Sequence, residues 1–522
     1  MSQQDSVKSN SMRAVYVAGV GMTKFGKSPQ TLAELLCDAA SNSLSSSPVQ
    51  EVDALYIGAM NPEEFTGDSN IASLVADALG MTGLPAIRVE TASSAGAAAL
   101  HAAFQAVASG YYQHVLVLGG EKMTHLSTSA TTRILAEVID KQERRCGATM
   151  PALAAMITER YRKKYRLSRS RLEQVLCRVA IKNHLNGSYN PYAQFQQPIS
   201  KETYSSSKLV STPLRLYDCA PITDGAAAIV LTSEPTDIAI TGIGHGTGPL
   251  GLGERESFTS FPATQIAASR AYQMAGISPS AIDFAEVHDA FTPFEIICTE
   301  DLGFFAPGKG WQAVEEGKTS LQGTLPINPS GGLKARGHPV GASGVAQVVE
   351  AAWRLRGNSK TRFKREARRA LCQSTGGLGS NNFVTILERS DKSQAIQNPK
   401  KAPPLSPVRR RKAKQPADEA ALSDEGHIET FTILYVTPDG FLPPLALALI
   451  RDGRGRLIMA QGEDVTHLKI GRAVFLRKVG DRYLFTVKSH LRKVREALKN
   501  LLTRARSLPR KEEMAPSKKE KP

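Results

Sequence analysis

The segment NPSGGLKARGHPVGASG, residues 328–344, has the most specific chemical pattern in the chain. Glycines lie on both sides of a histidine, and glycine lets two backbones approach closely because it has no Cβ. His338 directly precedes Pro339, and proline suits the first turn of a helix. A histidine there lies near the positive end of the helix, where it stays neutral or directs Nε2–H at a carbonyl oxygen that gains negative charge. The segment therefore predicts a catalytic role for His338.

On both sides of this segment, short apolar strands alternate with helical patterns. Thr31 and Glu34 form a capping-box pattern ahead of one helix, and Gly110 is placed to end another helix, 95–109. The predicted strands are 15–21, 54–58, 86–90 and 114–120, then 238–244, 282–287, 370–375 and 383–388. Apolar strands joined by helices predict a parallel or mixed sheet with right-handed crossovers. Because the alternation occurs twice, we expect two similar α/β halves.

The segments beyond this alternation differ in composition. Residues 121–235 are less regular, and the run after residue 392 is rich in Pro, Lys, Arg, Gln and Ser. Short β-rich runs between turn signals predict a small all-β barrel at 425–488. The predicted units are a disordered N-terminus (1–11), two α/β halves (12–235 and 236–391), a basic linker (392–424), the barrel (425–488), and a basic helix with a disordered tail (489–522).

The net charge of +16 is concentrated outside the predicted folded units. Residues 392–416 carry eight Lys or Arg and no acid, and residues 489–522 carry eleven against four Glu, so these segments hold +8 and +7. The six cysteines are scattered without metal-ligand spacing, so we expect no metal site, no disulfide framework and a cytoplasmic location. The longest apolar runs are too short for a membrane span.

Several further motifs occur in an order that resembles the thiolase superfamily, closest to its sterol-carrier-protein (lipid-transfer) and archaeal-type branch. They are RVETASSAG (88–96), GGEKM (119–123), KNHLNGSYNPYAQF (182–195), YDCAPITDGAAAIVL (217–231), EVHDAFTPFE (286–295) and STGGLGSNN (374–382), together with the segment at 328–344. The resemblance covers about residues 12–390. It implies a duplicated five-layer αβαβα fold, an acyl-CoA substrate, a homodimer or tetramer, and no cofactor apart from the coenzyme A of the substrate.

The resemblance also implies which residues form the site. The family uses one Cys as nucleophile and a second for proton transfer, whereas this chain has Ser93 and Ala290 at those positions. Ser93, His288 and His338 are therefore the predicted catalytic residues, the two histidines as oxyanion-hole donors. The predicted substrate or CoA contacts are Gly337, Gly341, Ser343, Gly376 and Gly377. Two alternatives stay open: Ser93 or Ser94 caps helix 95–109, or His288 is a buried histidine bonded to Asp289 or to a main-chain carbonyl.

The barrel segment resembles the OB-fold partner protein that accompanies archaeal-type thiolases and related steroid side-chain aldolases. The resemblance rests on TFTILYVTPDGFLPPLALALI (430–450) and HLKIGRAVFL (467–476). The Cys-rich zinc ribbon of such partners is absent from the sequence. An OB fold can also bind nucleic acid, but Tyr435, Phe441 and Phe475 are more simply explained as barrel core, so a nucleic-acid partner is not expected.

These observations support three functional interpretations. The first is an acyltransferase that makes or breaks a C–C bond beside a CoA thioester, with Ser93 in place of the nucleophilic Cys. A serine hydroxyl needs a general base to attack, whereas a thiol is partly ionised near neutral pH. The second is a retro-aldolase acting on a β-hydroxyacyl-CoA, which needs no acyl-enzyme. The third is a non-catalytic CoA-binding or scaffold subunit.

Overall fold

The computed structural model describes residues 12–359, 363, 366–390, 424–438 and 440–488. The α-helices are α1 Leu32–Ser45, α2 Pro62–Thr66, α3 Ile71–Ala78, α4 Ala95–Ala108, α5 Thr128–Leu135, α6 Lys141–Arg145, α7 Met150–Lys164, α8 Arg169–Ser188, α9 Lys201–Ser206, α10 Pro262–Ala275, α11 Thr292–Asp301, α12 Gly310–Glu315, α13 Gly332–Arg336 and α14 Ser343–Leu355. The strands are β1 Tyr16–Met22, β2 Ala54–Gly58, β3 Ala86–Val89, β4 His114–Glu121, β5 Leu209–Ser211, β6 Leu214–Arg215, β7 Gly225–Thr232, β8 Ile238–Thr247, β9 Phe284–Glu286, β10 Arg369–Gly376, β11 Asn381–Arg389, β12 Glu425–Leu434, β13 Leu445–Asp452, β14 Leu457–Gly462, β15 Ala473–Val479 and β16 Arg482–Val487.

Within residues 12–390, the described residues form two α/β halves that share a mixed sheet in the order β3-β2-β4-β7-β1-β8-β11-β10-β9. The halves join where β1 meets β8 through the single pair Tyr16 and Ala239. Helices α4 and α14 pack against each other and against strands of both halves, while α1 covers the outer face of the first half and α10 that of the second. The strands of each half form one layer, α4 and α14 form the layer between them, and the outer helices of each half form the two outer layers. These five layers confirm the predicted fold class.

Local signals set several helix ends as predicted. The main-chain N–H of Thr31 donates to the Glu34 carboxylate at 2.7 Å, and the Glu34 N–H donates to the Thr31 hydroxyl at 3.3 Å. This capping box satisfies two donors that the first turn of a helix leaves without partners. Gly110 follows α4 with φ +78°, the left-handed conformation that ends many helices.

Glycines bring α4 close to its neighbours. A Cβ on Gly58 of β2 would lie 2.4 Å from the Cα of Gly96, and a Cβ on Gly96 would lie 2.4 Å from the carbonyl oxygen of Gly341. These contacts require the absence of a side chain. They draw the N-terminal end of α4, with Ser93 just before it, against the segment that follows His338.

The segment 121–235 is more regular than predicted, because it contains the long helices α7 and α8. The signal for α8 was present in the sequence. The Ser168 hydroxyl accepts the N–H of Arg171 at the helix start. Leu172, Val175, Leu176 and Val179 then follow the spacing of one buried helical face. The prediction of an irregular stretch was wrong for this part of the chain.

The C-terminal segment forms a closed five-stranded barrel, as predicted. Its strands follow the order β13-β14-β16-β15-β12, and β12 also pairs with β13 to close the ring. The interior is apolar and includes Phe431, Ile450, Val474 and Phe485.

The predicted core positions Tyr435, Phe441 and Phe475 were wrong. Tyr435 is 42% exposed, Phe475 is half-buried beneath the ammonium group of Lys488, and Phe441 packs outside the barrel core near Gly147. An irregularity in the pairing of β12 between Ile428 and Thr430 shifts the alternation of the strand.

The barrel docks on the α/β unit of its own chain. The short strand β5 extends the barrel sheet through the pair Leu434 and Ser211. The Thr430 hydroxyl donates to the carbonyl of Met156 in α7 at 2.8 Å, and Leu434, Leu445, Leu447, Leu449 and Met459 join the apolar core of the α/β unit. The contact is therefore both a β-sheet extension and a buried apolar interface.

Several predictions concern segments outside the described residues. These are the disordered N-terminus, the basic linker apart from Asp424, and the basic helix with its tail at 489–522. The predicted domain limits stay predictions. Among the described helices, none combines the length and apolar character that crossing a membrane requires.

Candidate active site

Two imidazole rings from separate stretches of the second half meet at the base of the site. His288 follows β9, and His338 follows α13. Their ring centroids lie 5.1 Å apart and their planes are nearly perpendicular, at 89°. Burial lowers the pKa of His338 to about 3, and the nearby Arg336 guanidinium adds to this shift. Burial also places the pKa of His288 well below its ordinary value, with His338 and Arg336 contributing. Both rings are therefore neutral at physiological pH.

The loops that carry the two histidines are tied together by Asp289. Its carboxylate accepts the N–H of Leu333 at 2.6 Å and the side-chain amide of Asn183 at 2.7 Å. Gly332 has φ +60°, and a Cβ there would lie 2.3 Å from the Asp289 carboxylate. Burial and the neighbouring Glu295 raise the pKa of Asp289 to about 7. This contact requires glycine at 332, which explains part of the glycine-rich motif.

His288 is held by residues of β10. Its main-chain N–H donates to the side-chain oxygen of Gln373 at 2.9 Å. Its Nδ1 accepts the main-chain N–H of Thr375 at 3.2 Å. A neutral imidazole carries one proton, so this bond leaves the proton of His288 on Nε2. The alternative that the His288 ring bonds to Asp289 or to a main-chain carbonyl was wrong, since the ring accepts from an amide and Asp289 bonds the 332–334 turn.

His338 is held on two sides. Its main-chain N–H donates to the hydroxyl of Thr223 at 3.0 Å. Its ring Nδ1 lies 2.7 Å from the Ser343 hydroxyl. The residue His338 is partly exposed, in contrast with Gly337 and Pro339, which are buried. Nε2 is thus the ring nitrogen of His338 that is free to face a ligand.

Ser93 lies in a tight turn at the end of the strand-to-helix connection before α4. Ala92 has φ +57°, a left-handed conformation that is uncommon for a residue with a side chain and that often occurs at functional sites. The Ser93 hydroxyl is buried and donates to the carbonyl of Thr375 at 3.0 Å. Thr375 thus contacts Ser93 through its C=O and His288 through its N–H.

The interpretation of Ser93 or Ser94 as a helix cap was wrong. Ser94 is the N-cap residue of α4 but makes no side-chain bond to the helix. Its hydroxyl donates to the carbonyl of Thr91 at 2.7 Å instead. Both serine hydroxyls therefore bond to carbonyl groups outside the helix, and neither satisfies an N–H of its first turn.

The five predicted substrate contacts lie around this site, with different surroundings. A Cβ on Gly376 would lie 2.1 Å from the carbonyl of Thr91, and a Cβ on Gly341 would lie 2.5 Å from that of Gly120. Gly337 has φ +113° and Gly377 has φ +58°. Ser343 is buried behind His338. Close backbone packing thus explains why positions 341 and 376 are glycine. Contact of these five residues with the substrate stays a prediction.

The cysteines do not replace the missing thiols. All six are free. Cys372 is buried and its thiol donates to the carbonyl of Gln347 at 3.4 Å, on the side of β10 away from His288. Its neighbour Gln373 is the residue that bonds His288. Within the ranges described by the structure, no group of three His, Cys, Asp or Glu residues is arranged to hold a metal ion.

Sequence reasoning missed the residues that support the histidines. Thr223 and Thr375 lie in the motifs 217–231 and 374–382, and Gln373 lies in the predicted strand 370–375, but none of the three was predicted to contact a histidine. All three side chains are buried. Because a buried polar group needs a hydrogen-bond partner, polar residues next to apolar stretches were the available signal.

Comparisons with known proteins agree with the fold and the motifs. Residues 15–235 match the family model "Thiolase, N-terminal domain", and residues 244–389 match "Thiolase C-terminal domain-like". Acetyl-CoA acetyltransferase of Methanothermobacter thermautotrophicus is 39% identical over 388 residues, which are 72% of this chain and 100% of that protein. Sterol carrier protein 2 of Bos taurus is 32% identical over 413 residues, 75% of each chain.

A solved structure described as "Ltp2-ChsH2(DUF35) aldolase" aligns with a TM-score of 0.62 and 24% identity, over 74% of this chain and 100% of that chain. At that identity the likeness shows the fold alone. The family models and the relatives show more, because the two models together cover most of the chain and the acetyl-CoA acetyltransferase is matched over its whole length. This protein belongs to the thiolase family of acyltransferases.

Proposed function

We propose that this protein makes or breaks a C–C bond next to the carbonyl of a CoA thioester by stabilising an enolate. The observation that carries the proposal is the pair of neutral imidazoles 5.1 Å apart, with the Nε2–H of His288 free to donate. In such chemistry negative charge develops on the thioester oxygen. Donors already in place lower the barrier by about 3–4 kcal/mol each.

The family offers one route in which a nucleophile takes the acyl group. On this route Ser93 would attack the thioester carbonyl, its hydroxyl proton would pass to a base, and coenzyme A would leave as the thiol. The Ser93 proton is instead donated to a main-chain carbonyl, which is not a base. A serine that lacks a general base is a poor nucleophile.

The second route is retro-aldol cleavage of a β-hydroxyacyl-CoA, and the bonding of Ser93 favours it. This route also needs a base, here to take the proton of the β-hydroxyl. The Cα–Cβ bond then breaks, and its electron pair moves onto the thioester as an enolate. A ketone or aldehyde leaves, and the enolate then takes a proton at Cα. This route needs oxyanion stabilisation but no acyl-enzyme, so it uses the two histidines and leaves Ser93 as a structural residue.

The residues around the two histidines would bind the rest of the substrate. Gly337, Gly341, Gly376 and Gly377 would border the thioester and pantetheine portion of the substrate, and no cofactor beyond the coenzyme A of the substrate is required. The protein would act in the cytoplasm without a nucleic-acid partner.

We also propose a homo-oligomer that forms through the edge strand β3. This strand lies at one end of the sheet, and its residue Ile87 is 46% exposed.

The test uses the full chain with two probes. Acetoacetyl-CoA with free coenzyme A measures thiolysis, and a set of β-hydroxyacyl-CoA esters without added coenzyme A measures retro-aldol cleavage, each followed by mass spectrometry of the products. We expect a ketone or aldehyde and a shortened acyl-CoA from the second set. Intact-protein mass spectrometry checks for an acyl adduct on Ser93, which acyl transfer requires and retro-aldol cleavage does not.

Either route requires the histidines. If His338→Ala changes neither turnover of these probes nor the affinity for acetoacetyl-CoA, the enzymatic proposal fails and the non-catalytic CoA-binding subunit replaces it.

A further inference from the structure

We propose that Ser343 is a positioning residue that holds His338 in the form with its proton on Nε2, so that both imidazoles present an N–H to the same oxyanion. The inference deepens the proposed function and rests on it for its catalytic consequence. It replaces the sequence-based expectation that Ser343 contacts the substrate.

The Ser343 side chain faces the interior of the protein. Ser343 begins α14 and has no exposed surface. Its hydroxyl oxygen lies 2.7 Å from Nδ1 of His338 and 3.0 Å from the carbonyl oxygen of Pro339. A hydroxyl has one proton, so it can donate to only one of these two acceptors. Which one it chooses determines which ring nitrogen of His338 carries a proton.

The carbonyl of Pro339 is already saturated. It accepts the main-chain N–H of Ala342 at 2.9 Å and the main-chain N–H of Ser343 at 3.1 Å. A carbonyl oxygen has two lone pairs, so the hydroxyl proton of Ser343 is better directed at Nδ1 of His338. The shorter of the two contacts agrees with this direction. Nδ1 then acts as an acceptor, and the single proton of the neutral ring lies on Nε2.

The proton of His288 is also held on Nε2, but by a main-chain group. Its Nδ1 accepts a main-chain N–H from Thr375, which no side-chain substitution at 375 other than proline removes. The corresponding donor for His338 is a side-chain hydroxyl. Two nearly perpendicular rings with centroids 5.1 Å apart, each with its proton on Nε2, can converge on one oxygen. The pair is therefore a two-donor oxyanion hole of which only one member depends on a replaceable group.

The experiment compares Ser343→Ala with Ser343→Thr in the full chain. Selective ¹⁵N labelling of histidine reports by NMR which ring nitrogen of His338 carries the proton, with His338→Ala used to assign the signals. We expect a protonated Nε2 in the parent and in Ser343→Thr, and a mixture of both forms in Ser343→Ala. Acetoacetyl-CoA serves as the ligand probe, because its enolate absorbs in the ultraviolet and forms more readily when its oxygen accepts two N–H donors.

For Ser343→Ala we expect kcat to fall by about tenfold to a hundredfold, the range found when groups that orient a metal-bound histidine are removed, while KM changes by less than about threefold. The bound enolate signal should fall in parallel, and Ser343→Thr should restore both. Ser43→Ala is the matched control, since Ser43 is another fully buried serine but lies in α1. Its kcat should equal that of the parent.

Two outcomes would overturn the inference. One is an unprotonated Nε2 on His338 in the parent; the other is a ring state that Ser343→Ala leaves unchanged. Failure of the proposed function is distinguishable, because it would appear as absence of turnover and of enolate in the parent while the NMR result stands. Thermal melting of all variants separates misfolding from loss of the hydrogen bond.

Discussion

The two sides of the site are prepared to different degrees. On one side, His288 and His338 are each held by hydrogen bonds at a ring nitrogen and at the main chain. On the other, Ser93 occupies the tight turn of a nucleophile, but its proton is committed to the carbonyl of Thr375. The two imidazole rings are therefore fixed by hydrogen-bond partners, whereas the hydroxyl of Ser93 has a main-chain carbonyl and not a base as its partner.

The largest effect should come from removing a histidine. His338→Ala or His288→Ala should lower kcat by about 10²–10³-fold, because each removes a donor to the developing oxyanion. Steady-state turnover of the better probe measures this. His427→Ala is the matched control, since His427 is an exposed histidine on the barrel. A loss below tenfold in both site variants would contradict the role assigned to the histidine side.

The next effect concerns the link between the two histidine loops. Gly332→Ala would place a Cβ 2.3 Å from the Asp289 carboxylate, and we expect it to lower the free energy of unfolding by about 1–3 kcal/mol more than Gly317→Ala does. Gly317 is a close control, because it has a similar φ of +70° but no neighbouring atom within 4 Å of an added Cβ. Denaturant unfolding measures both, and equal losses would show that the contact with Asp289 does not matter.

The histidine side also predicts how stability depends on pH. The pKa of His338 is lowered to about 3 in the folded protein, whereas an unfolded histidine titrates near 6.5. The unfolded state therefore binds more protons below pH 6.5, so stability should fall as the pH decreases from 6.5 towards 3. At pH 5 this histidine should cost about 1–2 kcal/mol relative to pH 7. Unfolding of His338→Asn at both pH values should show a smaller loss, and an identical loss would refute the assignment.

The smallest effect is expected at Ser93. Ser93→Ala should retain retro-aldol turnover within about fivefold, because removal of one neutral hydrogen bond costs about 1 kcal/mol or less of positioning. Ser93→Cys, which supplies a thiol, provides the contrasting variant for acyl transfer. If Ser93→Ala abolishes turnover and the parent carries an acyl adduct on Ser93, the difference between the two sides of the site disappears and the acyl-transfer route holds.

Much of the fold was predictable because its signals are local. The Thr31–Glu34 capping box, the apolar strands and the glycine after α4 each depend on a few neighbouring residues. The failures arose where a tertiary contact decides the environment. Tyr435 and Phe475 follow a strand pattern, yet Tyr435 is exposed and Phe475 half-buried, because the packing of the barrel and its docking on the α/β unit determine which faces are buried.

By itself, the sequence determined the family, the duplicated α/β architecture and the barrel. Only the tertiary structure decided where protons lie and which groups hold them. Thr375 is separated from Ser93 by 282 positions, and Ser343 acts on His338 only because a turn saturates the Pro339 carbonyl. Hydrogen bonds of this kind depend on distances of about 3 Å between groups remote in sequence or crowded in one turn, and no pattern of residue types contains those distances.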